Sequence, residues 1–248
     1  MIKITNITVK DIRFPTSEDL TGSDAIHTDP DYSATYVTID TSDINLKGYG
    51  IAFTIGKGND IVAECIRNFI PIFVGLTYNE IEKNIGKLWF DCVDHSQLRW
   101  LGPEKGVVHM AVAAMFNALW DLISKKNKKP LWRFIAESHP EEIVNWLTFK
   151  YIEDVLTKDE AYNILKENQK FKDERIKTLV KEGYPAYTTA AGWLGYSNEK
   201  IVELCNKYME LGWKHFKIKV GTNLEEDINR LEIIRKTVGD QCSIMVDA

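Results

Sequence analysis

FKIKVG at Phe216–Gly221 and SIMVDA at Ser243–Ala248 are the two stretches whose reading decides the fold. A strand alternates its side chains, so Lys217 and Lys219 share one face while Phe216, Ile218 and Val220 share the other. Between the two stretches, Leu224 to Val238 reads as a helix. Ahead of them Ile201, Leu204, Cys205, Tyr208 and Leu211 recur at helical spacing until Gly212, where a helix would stop. With a further strand after Tyr187 the order is βαβαβ, which predicts a parallel sheet.

Strands of parallel sheets are covered on both faces and read as nearly unbroken apolar runs. Two lysines on one face depart from that pattern. A half-exposed strand with solvated lysines would give the same alternation. In a closed parallel barrel the second face looks inward, and residues at the carboxyl ends of the strands line the catalytic mouth. Desolvation and like-charge crowding lower the pKa of amines there, so one of such a pair could act as a base. Asp247 ends the second strand, where a carboxylate can give one oxygen to a hard divalent ion such as Mg²⁺; a lone Asp also serves as a helix cap or turn acid.

The first half reads as a separate α+β unit. Lys3–Phe14, Ala34–Thr41 and Lys47–Ile55 are expected strands, the last two joined by a polar turn through Ser42–Asn45. Helices are expected over Asp60–Phe73, Asn79–Cys92 and Lys105–Lys125. In the third, Val108, Val112, Met115, Leu119 and Leu122 make a core face with Asp121 as a structural neighbour. From Glu141 to Glu182 the chain is richer in charge, with two helices separated near Asn168–Phe171. The expected division is an α+β domain over residues 1–140, then connecting helices and an incomplete β/α barrel over 141–248.

The chain's 248 residues suffice for more than one compact unit. With 31 basic and 36 acidic residues the net charge is −5, which gives no electrostatic argument for a nucleic-acid partner. Cys65, Cys92, Cys205 and Cys242 are widely spaced, form no CxxC pattern and read as free thiols of a reducing compartment. No HExxH pair occurs, and His27, His95, His109 and His215 receive no catalytic role; His139, beside Pro140, is assigned to the connection between domains. No apolar run is read as membrane-spanning, and MIKITNITVKDIRF alternates like a strand rather than a signal peptide. The expectation is a soluble cytoplasmic protein, with a mitochondrial location also open, no membrane partner, and room for a homo-oligomer.

The loop TGSDAIHTDPDYS at Thr21–Ser33 carries the specificity hypothesis. Gly22 permits a turn, while Ser23, Asp24 and Tyr32 offer hydrogen-bonding groups suited to a polyhydroxylated ligand. As a plain surface loop it would need the same turn residues. Trp193 reads either as a neighbour of the site or as core.

FKIKVG followed by MVDA resembles the Lys-x-Lys strand and first metal-ligand strand of the mandelate racemase subgroup of the enolase superfamily. RFPTSEDLTGSDAIHTDPDYSATYV, LRWLGPEKGVVHMAVAAMFNALWDL and GYPAYTTAAGWLGYS extend the resemblance over essentially the whole chain, and within the subgroup it is to the L-fuconate dehydratase type. The resemblance implies an α+β capping domain followed by the first strands and helices of a truncated α/β (TIM-like) barrel. It also implies Mg²⁺-dependent dehydration of a small-molecule sugar acid, L-fuconate, to the 2-keto-3-deoxy product. A Lys or His base working with Mg²⁺ is general to the superfamily rather than a reading of this chain. By resemblance Lys219 is the base, Lys217 binds the substrate carboxylate, Asp247 is one metal ligand, and Gly22, Asp24 and Tyr32 contact substrate from a loop that closes the mouth. The remaining metal carboxylates and the opposing His are expected beyond Ala248, so the 248 residues alone are expected to be inactive. A non-catalytic assembly or regulatory protein that keeps the capping domain, and a dehydratase of a different acid sugar, are the competing readings.

Overall fold

A computed structural model describes residues 1–102 and 106–248. Pro103, Glu104 and Lys105, which belong to the LRWLGPEKGVV motif and to the expected start of the third helix, lie outside the described residues. Contacts divide the chain into two units, Met1–Ile12 with Ser33–Gly183, and Arg13–Tyr32 with Tyr184–Ala248.

In the first unit β1 (Ile4–Arg13), β2 (Ser33–Thr41) and β3 (Lys47–Thr54) form a sheet of order β1-β2-β3. Strands β2 and β3 run antiparallel in a register from Ser33 opposite Thr54 to Asp40 opposite Lys47. The polar Ser42–Asn45 turn allows this, since Thr41 Oγ1 donates to the Leu46 carbonyl at 2.8 Å and closes the hairpin. Helices α1 (Asn59–Phe73), α2 (Tyr78–Val93) and α3 (Val107–Lys126) supply the rest of the core. Val108, Val112, Met115, Leu119 and Leu122 of α3 are all buried, as their spacing predicts, and Asp121 accepts the Tyr49 amide at 2.8 Å. At 20 residues α3 does have the length and hydropathy of a membrane span, contrary to the sequence reading, but most of its apolar window is buried in this core.

Helices α4 (Leu131–Glu137), α5 (Pro140–Trp146), α6 (Lys158–Asn168) and α7 (Lys172–Glu182) complete the unit. Thr157 and Glu160 exchange hydrogen bonds in a capping box that starts α6. The domain boundary differs from the one expected at residue 140. Trp146 of α5 packs edge-on against Trp120 at 5.1 Å and stacks on Phe134 at 6.0 Å, which ties the 141–183 region to the first unit.

The second unit holds α8 (Asn198–Glu210), β4 (His215–Lys219), α9 (Leu224–Val238) and β5 (Ser243–Asp247). Ser197 caps α8 by accepting the Lys200 amide, and Asn223 caps α9 by accepting those of Glu225 and Glu226. Strands β4 and β5 are parallel, with Lys217 opposite Met245 and Lys219 opposite Asp247. Phe216 and Ile218 are fully buried among Ile201, Cys205, Ile234 and Val238. Two helices thus cover one face of the pair.

The strand expected after Tyr187 is reduced to a parallel bridge between Thr188 and Phe216. The Lys217 amide donates to the Thr188 carbonyl at 2.9 Å; the chain then turns, with Gly192 N–H donating to the Thr189 carbonyl, and the Lys219 amide finds the Gly192 carbonyl at 2.9 Å. A Cβ on Gly192 would lie 2.4 Å from the Lys217 carbonyl oxygen, so the close pass beside β4 requires glycine. All four cysteines are free and buried. Burial raises the thiol pKa of Cys92 to about 12 and that of Cys205 to about 11.

Candidate active site

Strand alternation and the parallel register together bring the two lysines to one carboxylate. Asp247 Oδ2 lies 2.7 Å from Lys217 Nζ and 3.0 Å from Lys219 Nζ. All three side chains are partly buried, at 23 %, 17 % and 33 % exposure for Lys217, Lys219 and Asp247, so neither solvent nor core claims them outright. Hydrogen bonds from Lys217 and Lys219 hold the Asp247 carboxyl below the usual carboxylate range. Lys217 is pushed up, first by its bond to Asp247 and then by Tyr187, whose ring centroid is 4.8 Å from Nζ. For Lys217 this reverses the expectation of a crowded amine with a lowered pKa, because the carboxylate between the amines outweighs their mutual repulsion.

The loop read as a specificity element belongs to the same unit. Its ends are joined where the Phe14 amide donates to the Tyr32 carbonyl at 2.8 Å and Ser17 Oγ donates to Asp31 Oδ1 at 2.7 Å. Its middle is tied to the segment beside β4. The Thr21 and Tyr196 hydroxyls are 2.5 Å apart, the Gly195 amide donates to Ser23 Oγ at 2.9 Å, and the Leu194 amide donates to the Ser23 carbonyl at 3.2 Å.

Within this loop Asp24 Oδ2 reaches to 3.6 Å from Lys219 Nζ. The Asp24 carboxylate also accepts the Ile26 amide at 2.9 Å, the His27 amide at 2.7 Å and His27 Nδ1 at 3.2 Å. Burial works to raise its pKa, yet the two amides and the His27 ring together take it down to about 2. Gly22 has φ +91°, and a Cβ there would sit 2.3 Å from Tyr32 Cε1, so glycine both makes the turn and admits the Tyr32 ring. Tyr32 meets Trp193 edge-on at 6.3 Å, and its phenol is pushed up by burial and by the Asp24 charge. Trp193 therefore packs against the unit's core and beside the site at once. Gly22 and Tyr32 shape the loop, while Asp24 faces the Lys219 ammonium.

The enolase C-terminal domain-like family matches residues 200–248, the span from α8 through β5. Over 247 residues the chain is 45 % identical to mitochondrial enolase superfamily member 1 of Xenopus laevis, a match covering 99 % of this chain and 56 % of that protein. It is equally 45 % identical over 250 residues to an L-galactonate dehydratase of Hypocrea jecorina, covering all of this chain and 55 % of the relative. The crystal structure of human mitochondrial enolase superfamily member 1 superposes with a TM-score of 0.93 at 43 % identity, over 99 % of this chain and 56 % of that one. The chain belongs to the enolase superfamily. It spans about half the length of the curated relatives it matches. Its small antiparallel sheet with helices is consistent with the amino-terminal capping domain of the superfamily.

Mg²⁺ is the ion that the sequence resemblance implies, with Asp247 as one of its ligands. Among the described residues no group of three or more His, Cys, Asp or Glu side chains could hold a metal ion. Asp247 offers one carboxylate, engaged by two ammonium groups. Mg²⁺ demands near-octahedral oxygen coordination, so these residues do not make a complete protein-held site.

Ser23, read as a hydrogen-bonding group for a ligand, is engaged by the Gly195 and Leu194 amides, while Tyr187 and His27 are the site neighbours that sequence reasoning passed over or left without a role. Each acts through a partner remote in sequence or through its ring, and neither alternation nor helical period signals such contacts. An aromatic immediately before the bridge at Thr188 was the available hint for Tyr187.

Proposed function

We propose that the full-length protein dehydrates a sugar acid by removing the proton next to its carboxylate, with L-fuconate as the substrate. The observation that carries this reading is the pair Lys217 and Lys219 converging on Asp247 from adjacent parallel strands, with Asp24 of the loop facing Lys219. A carbon acid beside a carboxylate is weak, so its ionisation needs a positioned base and cationic groups near the developing charge. Lys219 takes the C2 proton, Lys217 anchors the substrate carboxylate, and the C3 hydroxyl departs as water, leaving an enol that tautomerises to the 2-keto-3-deoxy acid. Both lysines now donate to Asp247. Mg²⁺ enters the proposal only as an ion to which Asp247 offers one oxygen.

The relative named L-galactonate dehydratase supports the choice of substrate. L-fuconate is the 6-deoxy form of L-galactonate, so both present the same configuration at the reacting C2 and C3 and differ only at C6. In this reading the strands of the second unit begin a closed β/α barrel, and the loop over residues 13–32 closes on bound substrate to exclude water. A homo-oligomer remains compatible with it.

The test is a panel of sugar acids offered to the full-length protein with and without Mg²⁺, following 2-keto product. The reading predicts Mg²⁺-dependent product from L-fuconate, with L-galactonate next. No product from any acid in the panel would overturn the assignment.

A further inference from the structure

Helix α9 carries an acid and a base three residues apart, Asp227 and Arg230, that sequence reading left without a role. Neither is spent on the helix itself. Asp227 is 8 % exposed, and its Oδ2 accepts the Gly221 amide at 2.8 Å, two residues past Lys219. A Cβ on Gly221 would lie 3.7 Å from that of Ala25, so this turn also borders the residue after Asp24. Arg230 donates from Nη1 to the Trp193 carbonyl at 3.1 Å and from Nη2 to the Leu194 carbonyl at 2.8 Å. A guanidinium that caps two consecutive carbonyls fixes the peptide plane between them.

From those carbonyls the connection runs on. The Leu194 and Gly195 amides hold the carbonyl and the hydroxyl of Ser23, and Ser23 precedes Asp24, which faces Lys219. The Trp193 ring meanwhile sets Tyr32. Burying a guanidinium is costly unless it is well paired, and here Arg230 Nε and Asp227 Oδ1 are both buried without a hydrogen-bond partner. Arg235, on the same helix, also holds two backbone carbonyls, donating from Nη1 alone to those of Gly239 and Cys242 at 2.7 and 2.8 Å, on the side that leads into β5.

We propose that Arg230 is a positioning residue: through the Trp193–Leu194 carbonyls it holds Ser23, and so sets the spacing between Asp24 of the loop and Lys219 of the strand, with Asp227 fixing the turn after Lys219. The kinetic half of this inference rests on the dehydratase reading; the structural half does not.

The test compares Arg230→Met with Arg235→Met in the full-length protein, two equal truncations of carbonyl clamps on one helix. Thermal midpoints, sugar-acid turnover and hydrogen–deuterium exchange of the 20–27 segment are measured for both. Arg230→Met is expected to lower kcat by about 10²-fold, the scale of loss for a small misplacement of reacting groups, and to speed exchange in that segment. Arg235→Met is expected to keep both close to wild type at a comparable thermal midpoint, and Arg230→Lys, which retains one donor, to recover part of the lost turnover. Should Arg230→Met fail to fold, Arg230→Lys is read by the same two criteria. Equal kcat losses in the two methionine variants, with unchanged exchange of the 20–27 segment in Arg230→Met, would overturn the proposal. If the wild type turned over no sugar acid, the dehydratase reading would fail while the exchange comparison still decided the role of Arg230.

Discussion

Asp247 sits between two ammonium groups, and that single placement organises the residue scale. Alternation along FKIKVG put the lysines on one face, and the carboxylate at the end of SIMVD could be read as their neighbour from the sequence alone. The contact between Asp24 and Lys219 could not, because nothing local links residues so far apart in the chain. The same holds for Arg230, whose partners are backbone carbonyls and carry no side-chain signature.

Two predictions belong at this scale. The Lys217 ammonium is assigned to the substrate carboxylate, so Lys217→Ala in the full-length protein should raise KM for the sugar acid by roughly 10- to 100-fold, the worth of a hydrogen bond to a charged group. An unchanged KM would remove Lys217 from that role. The second concerns Asp24, whose folded pKa of about 2 lies below its ordinary 3.8. A depressed carboxylate stabilises the fold above its unfolded pKa, and the contribution disappears as pH falls through the folded value. The loop should therefore keep its Asp24 anchor down to about pH 2. A carboxyl carbon titration by NMR should give a midpoint near 2, and a midpoint near 3.8 would contradict the hydrogen-bonded arrangement.

At the scale of elements, long periodic segments were legible and short ones were not. The helix α9 runs over Leu224–Val238 as its pattern predicts, and α8 and α1 differ from expectation only at their ends. Helices α4 and α5 went unread because seven residues give barely two turns, too few for a period to register. His139, beside Pro140, was assigned to a connection; it stands at the N-cap of α5, which Pro140 opens at a position where its missing N–H costs nothing. The strand before Trp193 shrank to a bridge because the turn at Gly192 interrupts its pairing with β4. The helix start beside the site gives a prediction of its own. Asn223→Ala removes the side-chain oxygen that accepts the Glu225 and Glu226 amides, and should cost about 1 kcal/mol in thermal unfolding. An unaltered midpoint would show that the cap contributes nothing to the second unit.

For the whole molecule, the sequence reading put the border between an α+β part and a β/α part at residue 140, whereas contacts divide the chain after Gly183. Composition shifts at residue 141, whereas packing follows Trp146, Trp120 and Phe134, and no charge pattern reports an aromatic cluster. The loop over residues 13–32 crosses the division in the opposite sense, since its partners are Trp193–Tyr196 and Lys219 rather than the strands it connects. That exchange assembles the capping loop and the first two strands of the site into one unit. Among the described residues no three His, Cys, Asp or Glu side chains gather as a metal site, and one carboxylate cannot hold Mg²⁺ by itself.

The central claim is that Lys219 removes the proton beside the carboxylate. Deuterium exchange at C2 of L-fuconate in D₂O, catalysed by the full-length protein and by its Lys219→Ala variant, tests it most directly. The account predicts deuterium incorporation or deuterium-labelled turnover with the wild type, and none above the uncatalysed level with Lys219→Ala, although the variant still binds the sugar acid. Exchange at the wild-type rate in Lys219→Ala would contradict it.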